Sequence, residues 1–273
     1  MPQTIFVPID FTPVTEKALQ FAVQVASKLK GQIVLLNLMK QESQKENASA
    51  MLEVLASKHR SESISIKHMV ELGDIKNIGT LADENNASLI VMGTHGLKGI
   101  QYLVGSKAMK VVSHSPIPII IVQAETPIKP IEEILVPLDF ATEEKQILSV
   151  CAKIAEVLGA RIHLMGAGHQ DELLKQKVQL NLAFSKKYLK EKNVNFLTIM
   201  APGQKDFQEE LLHYAEMMDA SLIAMINHHE DGYKNLLGSG FDQNIITNQL
   251  NIPVLIFSGK SLPDMRDIFG MFQ

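Results

Sequence analysis

The chain repeats itself, and that duplication restricts its fold more than any other feature. The segment Thr4-Ile5-Phe6-Val7-Pro8-Ile9-Asp10-Phe11 returns as Glu133-Ile134-Leu135-Val136-Pro137-Leu138-Asp139-Phe140, so Pro8 and Asp10 recur 129 residues on. Ala87-Ser88-Leu89-Ile90 returns 133 residues later as Ala220-Ser221-Leu222-Ile223, and Leu103-Val104-Gly105-Ser106 returns at that same offset as Leu236-Leu237-Gly238-Ser239. Ile117-Pro118-Ile119-Ile120-Ile121 returns as Ile252-Pro253-Val254-Leu255-Ile256, now 135 residues on. Four matches in one order, with small drifts in spacing, describe a duplicated domain. A length of 273 residues accommodates two such units.

Each unit alternates short apolar runs with helical-period segments. In the first the runs are 4–9, 33–39, 64–70, 88–93 and 118–123; in the second they are 133–138, 161–166, 194–200, 221–226 and 252–258. They are rich in Ile, Val and Leu and nearly unbroken, as parallel strands buried on both faces must be. Between the first two runs Ala18, Ala22, Val25, Ala26 and Leu29 fall at helical spacing, with Thr12 or Thr15 placed to cap the start and Gly31 the end. Strands alternating with helices imply right-handed crossovers and a doubly wound α/β sheet in each unit. Pro127 and Pro130 punctuate the join. The expected division is a first domain over 1–125, a second over 131–260, and a tail over 261–273.

Charge and cysteine content narrow the partners. Thirty acidic against 26 basic residues give a net charge of −4, so no basic excess exists to neutralise a nucleic-acid backbone. Only Arg60, Arg161 and Arg266 are arginine, which disfavours an arginine-built phosphate clamp. The single cysteine, Cys151, has no partner for an internal disulfide and reads as core. No basic stretch followed by an apolar one opens the chain, and no apolar run reaches ~18 residues. The expectation is a cytoplasmic protein with neither nucleic-acid nor membrane partners.

In an open parallel sheet, ligands sit beyond the carboxyl ends of the strands where the strand order reverses. The first run closes with Pro8-Ile9-Asp10, and the fourth leads into Gly93-Thr94-His95-Gly96, then eight residues, then Gly105-Ser106 opening a helical pattern. Glycines let backbone come close to a ligand, and amides at a helix N-terminus beside a hydroxyl suit phosphate oxygens. A strand-end carboxylate suits a ribose or base donor. Together these describe a mononucleotide site built more from backbone than from cationic side chains.

On these residues the chain resembles the tandem universal stress proteins, over nearly all of both copies. Val7-Pro8-Ile9-Asp10, the loop from Gly93 to Ser106, and Ile117 to Val122 carry the resemblance. It implies strand order 3-2-1-4-5 in each copy. It also implies a pseudo-dimeric pairing of the copies through last strands at Ile117–Val122 and Ile252–Phe257. In the ATP-binding branch of that family the loop reads Gly-x2-Gly-x9-Gly-[Ser/Thr]. Position by position, the resemblance assigns Gly93, Gly96, Gly105 and Ser106 to the phosphates, and Pro8, Asp10 and Leu38 to the adenosine end. The implied ligand is ATP, with or without Mg, and the implied role is a stress-response module, with homo-oligomers allowed. The chain departs from the pattern in its second gap, Leu97 to Val104, which holds eight residues rather than nine.

The second copy departs further, because Ile226 and His229 stand where the first has Gly93 and Gly96. A Cβ at each position blocks close approach. The second crevice therefore reads as a degenerate site. Plainer readings stand beside these: Asp10 capping the turn after its strand, and Gly93 and Gly96 serving only a tight turn. His228 and His229, with His163 or His169, form a zinc set that no helical i, i+4 spacing supports. No Ser-Gly-Gly-x-Asp-Ser loop follows the first run and no His-x-Gly-His element occurs, which disfavours pyrophosphatases and nucleotidyltransferases. No nucleophile, base and orienter pair up from spacing alone, so catalysis has no named actor. Three functions remain open: an adenine-nucleotide-binding module, a non-nucleotide scaffold or binder of another ligand at the second crevice, and a slow ATP hydrolase.

Overall fold

A computed structural model describes residues 3–94, 106–139, 147–227 and 241–258, with only the backbone described for 106, 107, 241–243 and 258. The first half contains β1 (Thr4–Pro8), α1 (Pro13–Leu29), β2 (Gln32–Met39), α2 (Lys45–His59), β3 (Ser65–Leu72), α3 (Ile78–Glu84), β4 (Ala87–Gly93), α4 (Ser106–His114) and β5 (Ile119–Val122). The second contains β6 (Glu133–Leu138), α5 (Ile147–Leu158), β7 (Arg161–Gly166), α6 (Glu172–Glu191), β8 (Phe196–Met200), α7 (Phe207–Met217), β9 (Leu222–Asn227), α8 (Phe241–Ile246) and β10 (Val254–Ser258). All strands join one ten-stranded sheet in the order β3-β2-β1-β4-β5-β10-β9-β6-β7-β8. Each half therefore has the order 3-2-1-4-5, and the two meet through their last strands.

The unbroken apolar runs are explained by burial on both faces. Ile5 and Val7 enter one core layer with α1, α2, α5 and α6, while Phe6 between them enters the other with α3, α4, α7 and α8. Pairing within each half is parallel, as in the eight-residue register from Gln32↔Ser65 to Met39↔Leu72. At the centre, β5 and β10 run antiparallel with Val254↔Ile121, Leu255↔Ile120 and Ile256↔Ile119. The last strands are shorter than the sequence implies. Pro118 and Pro253 stand just before them, yet their carbonyls still accept bonds from Ile90 (2.9 Å) and Ile223 (3.0 Å). A residue without an N–H fits there, since only its carbonyl is asked to bond.

Helix α1 forms as its spacing predicts, with Ala18, Leu19, Ala22, Val25 and Ala26 buried. Its ends differ from the expectation. Thr12 is the N-cap without a side-chain cap bond, and its own N–H donates to Asp10 Oδ1 (3.1 Å). The left-handed residue at the C-terminus is Lys30 (φ 50°), not Gly31. Gly31 is held to a small side chain by packing, since a Cβ there would lie 2.7 Å from the carbonyl oxygen of Gln3.

The connection between halves is bonded to both. Gln123 Nε2 donates to the carbonyl of Asn248 (2.8 Å) and Thr126 Oγ1 to that of Asn251 (2.9 Å). Gln24 donates to the carbonyl of Lys129, whose ammonium pairs with Asp219 at 2.5 Å. Before each last strand a buried polar side chain closes the turn: Ser115 Oγ donates to Ile117 O (2.8 Å), and Asn248 Nδ2 to Ile252 O (2.8 Å). Asn248 Oδ1 also accepts from Ile252 N (3.0 Å), and the residue is 2% exposed. Replacing Asn248 with Ala strands that buried amide, at a cost of ~1–3 kcal/mol. Chemical denaturation is expected to show that loss in midpoint with an unchanged slope.

Candidate functional site

Strand order reverses between β1 and β4, and a cavity of about 490 Å³ opens beyond their carboxyl ends. Leu36, Ile78, Met92 and Val14 give it an apolar floor, while Asp10, Lys40, Asp74 and Thr94 give it polar groups. Of the residues assigned from sequence, Pro8, Asp10, Leu38 and Gly93 line it together. Ser106 is the first residue of α4, and its side chain lies outside the described residues, as do Gly96 and Gly105. Lys40, Gly73 and Asp74 were not singled out from sequence. Reading the ends of the second and third runs by the rule applied to the first and fourth would have found them.

Asp10 serves its own turn as well as the cavity. Its Oδ1 accepts from Thr12 N (3.1 Å), Thr12 Oγ1 (2.5 Å) and Thr15 Oγ1 (3.2 Å). These bonds hold the turn in which Phe11 adopts φ 63°. No described residue bonds Oδ2. Asn37, buried beneath, donates to the carbonyl of Ile9 (2.7 Å) and fixes the strand end. Gly93 is constrained by packing against Val14, which lines the same cavity. A Cβ there would stand 2.6 Å from Val14 O and 2.9 Å from Val14 Cγ2, so its absence lets the first turn of α1 seat on β4. Its backbone does not have positive φ, so a turn is not what selects glycine here.

The strand registers match the second half to the first, placing His169 where the first has Lys40 and Gly203 where it has Gly73. The corresponding crevice is filled by the chain's own groups. Asp139 is 3% exposed, and His169 Nε2 lies 2.6 Å from its Oδ1. The loops after β7 and β8 touch: a Cβ on Gly168 would lie 2.5 Å from both Ala201 O and Gly203 N. The amides of Gly203 (3.0 Å), Gln204 (2.9 Å) and Lys205 (3.1 Å) all donate to the carboxylate of Glu210 on α7. Three convergent amides are an anion site, and here the anion is internal. Ile226, the counterpart of Gly93, is 4% exposed and packs in the core.

Two of the four histidines offered as zinc ligands, His163 and His169, have other partners. His163 contacts Tyr214 OH (2.9 Å) through Nδ1 and Glu133 Oε2 (2.6 Å) through Nε2, leaving neither ring nitrogen for a metal. His169 faces Asp139, and His228 and His229 lie outside the described residues. Among the described residues no cluster of three or more metal-ligating side chains occurs, and no helix is long and apolar enough to cross a membrane. Cys151 is fully buried, and burial pushes its thiol pKa up, as suits a packing residue.

A polar-rimmed crevice opens at the switch point of a doubly wound sheet, the place where open α/β sheets take their ligands. The universal stress protein family model matches residues 1–123; the chain carries a domain of that family there, and its second five-stranded half gives it the tandem form. No curated protein sequence matches the chain significantly. Among solved structures it is similar to a universal stress protein from Archaeoglobus fulgidus DSM 4304 (15% identity, 93% of this chain and 96% of that one, TM-score 0.73). A functionally unknown protein from Pseudomonas aeruginosa PAO1 is similar at 15% identity, over 99% of this chain and 96% of that one, with TM-score 0.63. A universal stress protein solved in complex with cAMP covers 45% of this chain and 98% of its own, at 23% identity and TM-score 0.37.

Two expected outcomes follow from the second half. Glu210→Ala removes the buried carboxylate that three loop amides share and is expected to lower stability by ~1.5–3 kcal/mol, read by urea denaturation. Glu133 is held below the usual carboxylate value of 4.5, first by the Arg161 guanidinium and then by His163. A depressed folded-state pKa contributes stability above the unfolded value and loses it as pH falls through the folded value. Wild-type melting temperature is therefore expected to drop more steeply below about pH 4.5 than that of Glu133→Gln.

Proposed function

We propose that the first half binds one adenine nucleotide per chain, ATP with or without Mg, and that the second half is its structural partner rather than a second site. The observation that carries this reading is the cavity at the β1–β4 switch point, whose volume lies in the usual range for small-ligand sites. Pro8 and Leu38 border the adenine end, and the Oδ2 of Asp10 is left to a ribose hydroxyl. Gly93, Gly96, Gly105 and Ser106 hold the phosphates through backbone amides and the α4 N-terminus. Lys40 and Asp74 add a charge of each sign at the rim, an addition to the residues assigned from sequence.

The reading is of binding rather than turnover, because among the described residues the cavity lining pairs no nucleophile with a base and an orienting group. A role in stress response, as a nucleotide-dependent regulator, is the reading the family supports. In the second half, Ile226 and His229 replace the paired glycines, and Glu210 already takes the loop amides. Losing two or three amide bonds to a charged oxygen, at ~1.5–3 kcal/mol each, lowers affinity a hundredfold or more.

Isothermal titration with ATP-Mg is expected to give one site per chain, abolished in Gly96→Val with the circular dichroism spectrum unchanged. No heat or thermal shift at millimolar ATP-Mg overturns the reading in favour of a nucleotide-free scaffold. Two equivalent sites by equilibrium dialysis overturn the silence of the second half.

A further inference from the structure

A second cluster, sharing no lining residue with the nucleotide crevice, lies between α2 and the edge strand β3. Ser49 and Glu53 are one helical turn apart on α2 and face His68 on β3. Ser49 Oγ lies 2.9 Å from His68 Nε2, and His68 Nδ1 lies 3.3 Å from Glu53 Oε2. Arg60 fixes the carboxylate through Nη1 to Oε1 (3.0 Å) and Nη2 to Oε2 (3.3 Å), and is itself anchored on the carbonyl of Ile66 (2.9 Å). An open groove of about 860 Å³ runs beside the cluster, lined by Ser49, His68, Glu53, Lys45, Glu46 and Glu42 among others.

The charges around His68 favour one proton order. The Arg60 guanidinium holds the Glu53 carboxyl below its usual pKa, so Glu53 is an ionised acceptor. In neutral His68 the ring proton then belongs on Nδ1, facing that carboxylate, which leaves Nε2 as the bare acceptor. The hydrogen between Nε2 and Ser49 is accordingly the hydroxyl's own. Nucleophile, base and orienting carboxylate thus stand in the order that activates a serine.

We propose that Ser49, His68 and Glu53 form an acyl-transfer relay that hydrolyses uncharged or cationic carboxylic esters in the α2–β3 groove. Ser49 Oγ bonds to the acyl carbon as His68 Nε2 takes its proton. The ester C–O bond then breaks, and the leaving alcohol carries that proton away. Water, activated by the same imidazole, splits the acyl-serine, releasing the carboxylic acid and restoring the hydroxyl. Ser49 and His68 are the reacting groups; Glu53 and Arg60 are positioning residues. Lys45, one turn before Ser49 and paired with Glu42 (3.2 Å), lines the groove as its cation and is the group assigned to the developing oxyanion. Glu42, Glu46 and Glu53 make the groove repel substrates that carry a carboxylate or sulfonate.

The test uses a fluorophosphonate probe and p-nitrophenyl acetate on the full chain. Peptide mapping is expected to find the phosphonyl adduct on Ser49, with none in Ser49→Ala. His68→Gln is expected to slow labelling about a hundredfold, the lower range for loss of a general base. Glu53→Gln is expected to lower the acylation rate constant while leaving the half-saturating probe concentration unchanged. Protein-dependent release of p-nitrophenol should vanish in Ser49→Ala, and a sulfonated aryl acetate should react more slowly. Absence of a Ser49 adduct, or equal labelling of His68→Gln, overturns the relay and leaves the cluster a polar tie between helix and strand. Equal rates for the neutral and sulfonated esters overturn the assigned substrate class.

Discussion

The antiparallel contact of β5 with β10 is the interaction on which the rest of the architecture depends. Each half alone would present its fifth strand as an open edge, a row of unpaired amides and carbonyls over a strongly apolar strand. Ile119, Ile120 and Ile121 meet Ile256, Leu255 and Val254 there, and the sheet becomes continuous through ten strands. The side chains above and below that seam belong to the same two core layers as those of each half. The halves therefore share one core rather than touching across a polar interface. The bonds from Gln123 and Thr126 to Asn248 and Asn251 secure the seam at the chain crossing.

That shared core explains how the two crevices can differ in their side chains while the fold stays the same. The crevice residues sit beyond the strand ends, outside the layers that hold the sheet together. In the first half, Asn37 reaches from β2 to fix the carbonyl of Ile9. In the second, the matching position is Gly166, and a Cβ there would lie 2.7 Å from Leu182 and 2.9 Å from Val178. Helix α6 packs onto the strand there, and its Asn181 donates to the carbonyl of Asp139, one residue past the counterpart of Ile9 (2.7 Å). The end of the strand is thus fixed by a side chain from a different element. Packing closed the space while the sheet beneath stayed the same.

The fold was legible because burial on both faces leaves an unmistakable mark, an apolar run bounded by polar helices and repeated in order. Strand order and the central pairing came from family resemblance, not from periodicity, since runs such as 118–123 carry no information about their neighbours. Pro8, Asp10 and Gly93 lie where the end of the first or fourth run is visible in the sequence, whereas Leu38 came from the family resemblance; all four line the crevice. Lys40, Gly73 and Asp74 were missed although they obey the same rule. The physical reason for glycine at 93 was not legible at all, because it lies in Val14, far away in sequence and adjacent only in the fold. The same holds for Ser49 and His68, joined by the packing of α2 on β3, and for Glu210, whose three amide partners precede its helix.

Closing the central seam moves the chain's exposure to self-association to the two outer strands, and these are not equally protected. Strand β3 carries Lys67 and Glu71 pointing to solvent, charges that an incoming strand would have to desolvate. Strand β8 is Phe196-Leu197-Thr198-Ile199-Met200, without a charged residue, and Leu197 is 48% exposed. Its free edge is short, which limits the length of any foreign ladder, but it is apolar. Under partial unfolding or crowding, misassembly of this protein would begin at the outer side of the second half, the side farthest from the crevice of the first. The half whose crevice is filled by the chain's own groups is thus also the half with the less protected edge.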